Sequence, residues 1–246
     1  MISGVNTREL IVGILLEVNE EGQPSHQVIR NVLTKYQFLP KQDRAFITRV
    51  CEGTLEYQIT IDYILNCFSK VKTDKMKPAI REILRSGVYQ LKYMDSVPDS
   101  AVCNEAVKLA QKRGFYNLKP FVNGVLRTVA REMEEIDYPQ ESNLVLYLSV
   151  KYSMPVNLVE RWLNEYGRDT TETMLKDFLK ERPTTVRVSQ HRTDRDAVLE
   201  SIRSQGIQAE PAPFLDYAYY LSGYNHILTV QACLEGKMFV QHISSM

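Results

Sequence analysis

The chain has 246 residues, of which 44% are hydrophobic and 24% are charged, and its formal net charge is +0. This length allows two domains, and the ordinary composition indicates a folded globular protein. The neutral charge excludes a protein that coats nucleic acid with an entirely basic surface, so any anionic partner must bind to a local basic patch.

The cysteines and histidines do not form a recognisable metal or disulfide pattern. The four cysteines are scattered and include no Cys-x-x-Cys pair, which favours a reducing cytoplasm over a zinc site or a disulfide framework. Cys51, Cys67 and Cys103 lie among apolar residues and are predicted to fill the core. The histidines show no metal-ligand spacing. No apolar run is long enough to span a membrane, and the N-terminus is unlike a signal peptide, so neither a metal nor a membrane partner is predicted.

The first half of the chain is a succession of predicted amphipathic helices. The first runs from Thr7 to Asn19 with Asn6 or Thr7 as its N-cap, and Ser25 is the predicted cap of the second. Short loops between such helices indicate a compact bundle. Further helices are predicted after Pro40, at 59–68, from Pro78 to Met94, at 99–111 and at about 118–132.

The helix at 118–132 separates its apolar and polar residues. Its apolar stripe consists of Leu118, Phe121, Val122, Val125, Leu126 and Val129. The opposite side has a polar residue every fourth position, namely Lys119, Asn123, Arg127 and Arg131, and the loop before it contains Lys112, Arg113, Phe115 and Tyr116. Two interpretations are open: a solvated helix face, or a surface whose cations bind phosphates and whose rings stack on unpaired bases.

The second half of the chain begins with predicted helices and ends with segments whose apolar residues alternate as in β-strands. A helix is predicted at 144–152, a second one contains Trp162 as a packing residue and ends near Gly167, and a third spans 170–180. From residue 184 the pattern predicts β-α-β-β-α-β, a small α+β domain. Tyr217, Tyr219, Tyr220 and Tyr224 either form a stacking surface or lie half against the core of the sheet.

Several of these residues resemble a known family. Gln42 to Phe46 (QDRAF), Val97-Pro98 with Asn104 to Val107 (NEAV), and Phe121 to Arg127 (FVNGVLR) resemble the NusB fold. They resemble most closely the NusB-like N-terminal region of the RsmB (Sun/Fmu) ribosomal RNA cytosine-5 methyltransferases. The segments Arg182 to Val188 and Gly236 to Gln241 are similar to the RNA-recognition-like subdomain of the same enzymes.

The resemblance implies a mainly α fold in three parts. These are a NusB-like helical RNA-binding domain at 1–138, a helical linker at 139–182, and a small α+β (RRM-like) subdomain at 183–246. The implied function is the RNA-binding part of an S-adenosylmethionine-dependent 16S rRNA methyltransferase, which positions RNA for a catalytic domain. The sequence has no Gly-rich loop after a strand and no Pro-Cys or Thr-Cys dipeptide. We therefore assign no catalytic or cofactor-binding residue, and expect a fragment that is inactive alone and holds no cofactor.

The expected partners are small-subunit ribosomal RNA and a ribosomal protein. The alternative function is a NusB-like antitermination or protein-interaction module without catalysis, in which the same surface binds a protein. For Phe121 the alternative is burial in the apolar stripe, and for Asn123 it is a hydrogen bond to a neighbouring helix. The candidate RNA-binding residues are Arg8, Arg44, Lys112, Arg113, Lys119, Phe121, Asn123 and Arg127.

Overall fold

A computed structural model describes residues 5–180, 182–189, 194–224 and 227–246. Within these ranges the predicted fold class is confirmed: a helical bundle, two linker helices and a small α+β subdomain. The helices of the first part are α1 (Thr7–Glu21), α2 (Ser25–Lys35), α3 (Lys41–Glu56), α4 (Gln58–Phe68), α5 (Pro78–Tyr93), α6 (Asp99–Lys112), α7 (Lys119–Glu132), α8 (Leu144–Tyr152) and α9 (Val156–Phe178).

Helix α5 is the central element of the bundle. The helices α1, α3, α4, α6 and α7 all contact it, and every residue from 82 to 90 is buried. The predicted apolar stripe of α7 is confirmed, because Val122, Val125, Leu126 and Val129 are buried in the same core. Since most helices bury one face against α5, the polar faces of α1, α6 and α7 remain available to solvent.

The linker helix α8 packs on α4 of the bundle, and α9 packs on α8. The Thr60 hydroxyl of α4 donates to the Val150 carbonyl at 2.5 Å, and α9 is interrupted at Gly167, whose φ is 74°. This break lies where the sequence predicts the end of one helix and the start of another. Trp162 stacks on Phe178 with ring centroids 5.7 Å apart, so its predicted packing role is confirmed.

Contacts divide the chain into two compact units, 1–179 and 180–246. The predicted domain boundaries at 138 and 182 therefore stay predictions. The second unit contains β1 (Thr184–Val188), α10 (Arg195–Ser204), β2 (Gln208–Pro211), β3 (Ala218–Ser222), α11 (Gln231–Leu234) and β4 (Met238–Val240). Its strands form an antiparallel sheet in the order β2-β3-β1-β4.

The tyrosines of the second unit are divided between core and surface. Tyr219 is buried in the cluster formed by the sheet, α10 and α11, and Tyr224 packs against the same cluster. Tyr220 follows Tyr219 in β3 and therefore lies on the opposite face of the sheet. The interpretation in which half of these rings face the core is the one that agrees with the structure.

Two local predictions are wrong. Ser25 does not cap α2, because the N-cap position is Pro24 and no side chain caps that helix. Cys67 is exposed, whereas Cys51 and Cys103 are buried as predicted. Cys67 lies in the last turn of α4, beyond the buried residues of that helix, which end at Leu65.

Candidate nucleic-acid interface

The start of α1 is fixed by its N-cap. The side-chain oxygen of Asn6 accepts hydrogen bonds from the backbone N–H of Arg8 at 2.9 Å and of Glu9 at 3.2 Å. Such a cap satisfies donors that the helix leaves without an internal partner. It therefore holds the first turn, and the two charged side chains that this turn carries, in a defined orientation.

Arg8 is a half-buried cation whose side chain is hydrogen-bonded to α5. Its Nε donates to Gln90 Oε1 at 3.2 Å, and its guanidinium lies 5.1 Å from the centre of the Phe46 ring. Gln90 is fixed in turn, since its amide donates to the Ser86 carbonyl at 2.8 Å. Burial lowers the pKa of Arg8, and the Glu105 carboxylate opposes this shift. The guanidinium is thus held in place before any ligand arrives.

The space beneath Arg8 is too small for a ligand. The cavity that Arg8, Ile11, Ser86 and Gln90 help to line has a volume of about 10 Å³. This is about the space that one water molecule requires. A nucleoside cannot enter here, so any nucleic acid must bind on the surface of the bundle.

Glu9 connects α1 to the end of α6. Its carboxylate lies 2.8 Å from Arg113 Nη2 and 3.8 Å from Lys112 Nζ. The Arg113 guanidinium lies over α1, because a Cβ placed on Gly13 would be 4.0 Å from Arg113 Nη2. Lys112 and Arg113 are therefore brought together as the sequence predicts, but an acidic side chain partly neutralises both.

The exposed face of α7 carries a second group. Arg127 Nε donates to Asn123 Oδ1 at 3.0 Å, so Asn123 bonds within its own helix and not to a neighbouring one. In the described ranges no carboxylate lies within 4 Å of Arg127 or of Lys119, in contrast to Lys112 and Arg113. Phe121 is half-buried and packs against the bundle core, which agrees with its place in the apolar stripe.

Arg44 lies on α3, which packs against α1. It lies in the first turn of α3, and its backbone carbonyl accepts the Thr48 hydroxyl at 3.1 Å. Its Nε is buried and has no hydrogen-bond partner among the described residues. The predicted cations thus form two groups in the structure, one on α1 and α6 and one on α7. Arg44 forms no hydrogen bond or ion pair with either group in the described ranges, although Phe46, two residues later in α3, lies under the Arg8 guanidinium.

Sequence reasoning missed Glu9 and Gln90. Glu9 is an acidic residue in the first turn of a helix, a position where acidic residues are common. That position does not indicate that Glu9 pairs with Lys112 and Arg113, about a hundred residues later. Gln90 lies in a helix whose apolar period predicts polar residues on the outside. Neither contact has a local sequence signal, because each depends on how α1, α5 and α6 pack.

The described residues contain no activated cysteine. Desolvation raises the pKa of all four thiols, and for the exposed Cys67 the protein around the sulfur still displaces part of its water. A nucleophilic cysteine needs a lowered pKa instead. The same residues include no group of three or more side chains suited to hold a metal ion. None of the helices in the described ranges is long and apolar enough to cross a membrane.

Comparison with known proteins identifies the family of the first part. Residues 5–131, just over half of the chain, match the model of the NusB family. The chain belongs to the NusB family. Residues 154–227 of this NusB-family chain match a second model, described as a Methyltr_RsmF/B-like, ferredoxin-like domain. The predicted resemblance to the RsmB branch is thereby confirmed.

Its relatives come from both branches of the family. The chain is 31% identical over 220 residues to the probable ribosomal RNA small subunit methyltransferase B of Bacillus subtilis (strain 168), covering 88% of this chain and 48% of the relative. It is 33% identical over 128 residues to the transcription antitermination protein NusB of a Nitratiruptor species, covering 52% and 91%. The fold resembles the crystal structure of PH0851, with a TM-score of 0.71 and 20% identity over 98% of this chain and 54% of that one. The chain thus spans about half the length of the methyltransferase relative.

Proposed function

We propose that this chain binds small-subunit ribosomal RNA through the α1–α6–α7 surface and positions it for a methyltransferase domain, in the cytoplasm. The observation that carries the proposal is the presence of two cation groups on helices that pack against one another. One group is Arg8 with Lys112 and Arg113, and the other is Arg127 with Asn123. Cations on phosphates supply most of the affinity of such surfaces, and unpaired bases add sequence preference. The names of the methyltransferase relatives support the choice of RNA class.

The described residues do not provide the kind of site that holds the cofactor of such an enzyme. S-adenosylmethionine is bound in this class by a parallel sheet with a Gly-rich loop after its first strand. In the described residues every strand pair is antiparallel, and none is followed by such a loop. We therefore derive no step of methyl transfer from this chain, and its proposed task is to bind and orient RNA.

A charge reversal tests the proposal. Lys112, Arg113, Lys119 and Arg127 are exchanged for Glu, and binding to a labelled small-subunit rRNA hairpin is measured at two salt concentrations. Each lost phosphate contact lowers the slope of log affinity against log salt by about 0.7 for single-stranded RNA. We expect weaker binding and a slope reduced by about 1.5–3. Unchanged affinity and slope would remove the hypothesis.

The control variant keeps the same change in net charge on other elements. It replaces four exposed cations, Lys70, Lys75, Lys77 and Arg161, with Glu. If both variants weaken binding equally, the effect is a general loss of positive charge and the α1–α6–α7 surface is not the site.

A protein-interaction module is the second candidate. It is favoured by the pairing of Glu9 with Lys112 and Arg113, which leaves fewer unpaired cations for RNA, and by the similarity to transcription antitermination protein NusB. The match of residues 154–227 to a methyltransferase-associated domain favours the first proposal. Retention of a purified ribosomal protein, with no retention of the hairpin, would select the second candidate.

A further inference from the structure

Four glycines lie inside helices of the bundle, and two of them have a packing reason. Gly13 has a single neighbour, since a Cβ there would lie 4.0 Å from Arg113 Nη2. A Cβ on Gly53 would lie 2.0 Å from the Tyr89 ring, and one on Gly87 would lie 2.9 Å from a Leu126 methyl group. Gly124, in the middle of α7, differs from both. No described atom lies within 4 Å of the Cβ position at Gly124, and its φ is negative, as in any helical residue.

Gly124 therefore weakens α7 without serving the described fold. Glycine is the poorest helix-forming residue after proline, and the backbone here is one that any residue adopts. Another reason for glycine on a surface is that a ligand must approach the backbone closely. The missing side chain leaves a notch on the exposed face of α7, which we define by Pro120, Asn123, Gly124 and Arg127.

The groups beside the notch donate hydrogen bonds only. Arg127 lies one turn after Gly124, on the same side of the helix. Because a guanidinium has no acceptor, the oxygen of Asn123 must face Arg127 Nε, at 3.0 Å. The Asn123 NH₂ group and the remaining Arg127 N–H groups are then left to donate outward. A guanidinium held in this way matches the oxygens of a phosphate.

We propose that the Gly124 notch receives a backbone phosphate of the bound RNA, with Arg127 and the Asn123 NH₂ group donating to its oxygens. This inference rests on the proposed function and states where the RNA backbone crosses the bundle. A methyl group at position 124 blocks the approach, although it improves the helix. Stability and binding are therefore expected to change in opposite directions, which a merely structural role of Gly124 does not produce.

The test compares Gly124→Ala with wild type, using the labelled small-subunit rRNA hairpin. We expect Gly124→Ala to raise the melting temperature by about 2–4 °C, to weaken binding about tenfold, and to reduce the salt slope by about 0.7. Asn31→Ala, an exposed substitution in α2 that also favours the helix, is the matched control. It should leave binding and salt slope at their wild-type values.

The outcomes separate this inference from the proposed function. If wild type binds the hairpin and Gly124→Ala binds it equally well, the notch is not a phosphate site, although the surface remains an RNA site. Weaker binding with an unchanged salt slope overturns the phosphate assignment as well, because no ionic contact was lost. If wild type does not bind the hairpin at all, the proposed function fails, and the notch with it.

Discussion

Glu9 should limit the affinity for RNA of the cation group formed by Arg8, Lys112 and Arg113. Removing the charge of Glu9 should therefore strengthen RNA binding. The Glu9 carboxylate lies 2.8 Å from Arg113 and 3.8 Å from Lys112, so a phosphate that binds both cations must come close to it. Glu9→Gln keeps the shape of the side chain and removes its negative charge. The two cations then meet a phosphate without an acidic competitor.

The size of the effect follows from simple electrostatics. Two unit charges 4 Å apart interact by about 1 kcal/mol in water, which equals about fivefold in affinity. Each additional phosphate contact steepens the salt dependence by about 0.7 for single-stranded RNA. We therefore expect Glu9→Gln to bind the rRNA hairpin about fivefold more tightly at low salt, with a slope steeper by about 0.7–1.4. The advantage should shrink as the salt concentration rises.

The variant also loses stability, and the assay must separate the two effects. Partly exposed ion pairs contribute about 0.2–1 kcal/mol each, and an acidic residue in a first helical turn adds about 0.3–1 kcal/mol. Circular dichroism should show a folded protein with a slightly lower denaturation midpoint. Glu21→Gln, at the exposed end of α1, changes the net charge equally. Equal affinities for wild type, Glu9→Gln and Glu21→Gln would refute the reasoning.

Two further predictions concern the fold. Gly53→Ala should lower the free energy of unfolding by about 1–3 kcal/mol, because the new methyl group meets the buried Tyr89 ring at 2.0 Å; an unchanged urea midpoint would contradict this. Hydrogen bonds from Tyr152 and Lys151 lower the pKa of Glu172 to about 2, from an ordinary 4.5. Its stabilising contribution is therefore complete above pH 4.5 and is lost as the pH falls toward 2. The fluorescence of Trp162, the only tryptophan, should report this loss in the α8–α9 pair, and Glu172→Gln should not show it.

The sequence predicts the elements of this fold well, because most of them bury a single face. The apolar stripe of α7 and the alternation of β1 each indicate which residues face a core. Pro78 marks the start of α5, because proline is favoured in the first turn of a helix. The RNA candidates on α7 follow from the same pattern, since Arg127 lies opposite the buried stripe. Predictions of which residues are buried succeed where one neighbouring layer decides their burial, whereas the RNA-binding role of the exposed residues stays a prediction.

The central helix α5 is an exception to this rule, because several helices enclose it and its polar residues are buried too. This burial affects the candidate site. An enclosed helix buries its polar side chains as well, and such groups need partners. Glu82, which is fully buried, contacts Arg85 at 2.7 Å, and Arg85 forms a two-pronged pair with Asp62 of α4.

Gln90 satisfies the same requirement on the other end of α5, where it binds Arg8 of α1. The apolar period of α5 cannot reveal these partners, because they belong to helices distant in sequence. The orientation of Arg8 is thus a consequence of enclosing a polar residue in the bundle. The sequence therefore identifies Arg8 as a candidate, but it cannot reveal the hydrogen bond that holds the Arg8 guanidinium in place.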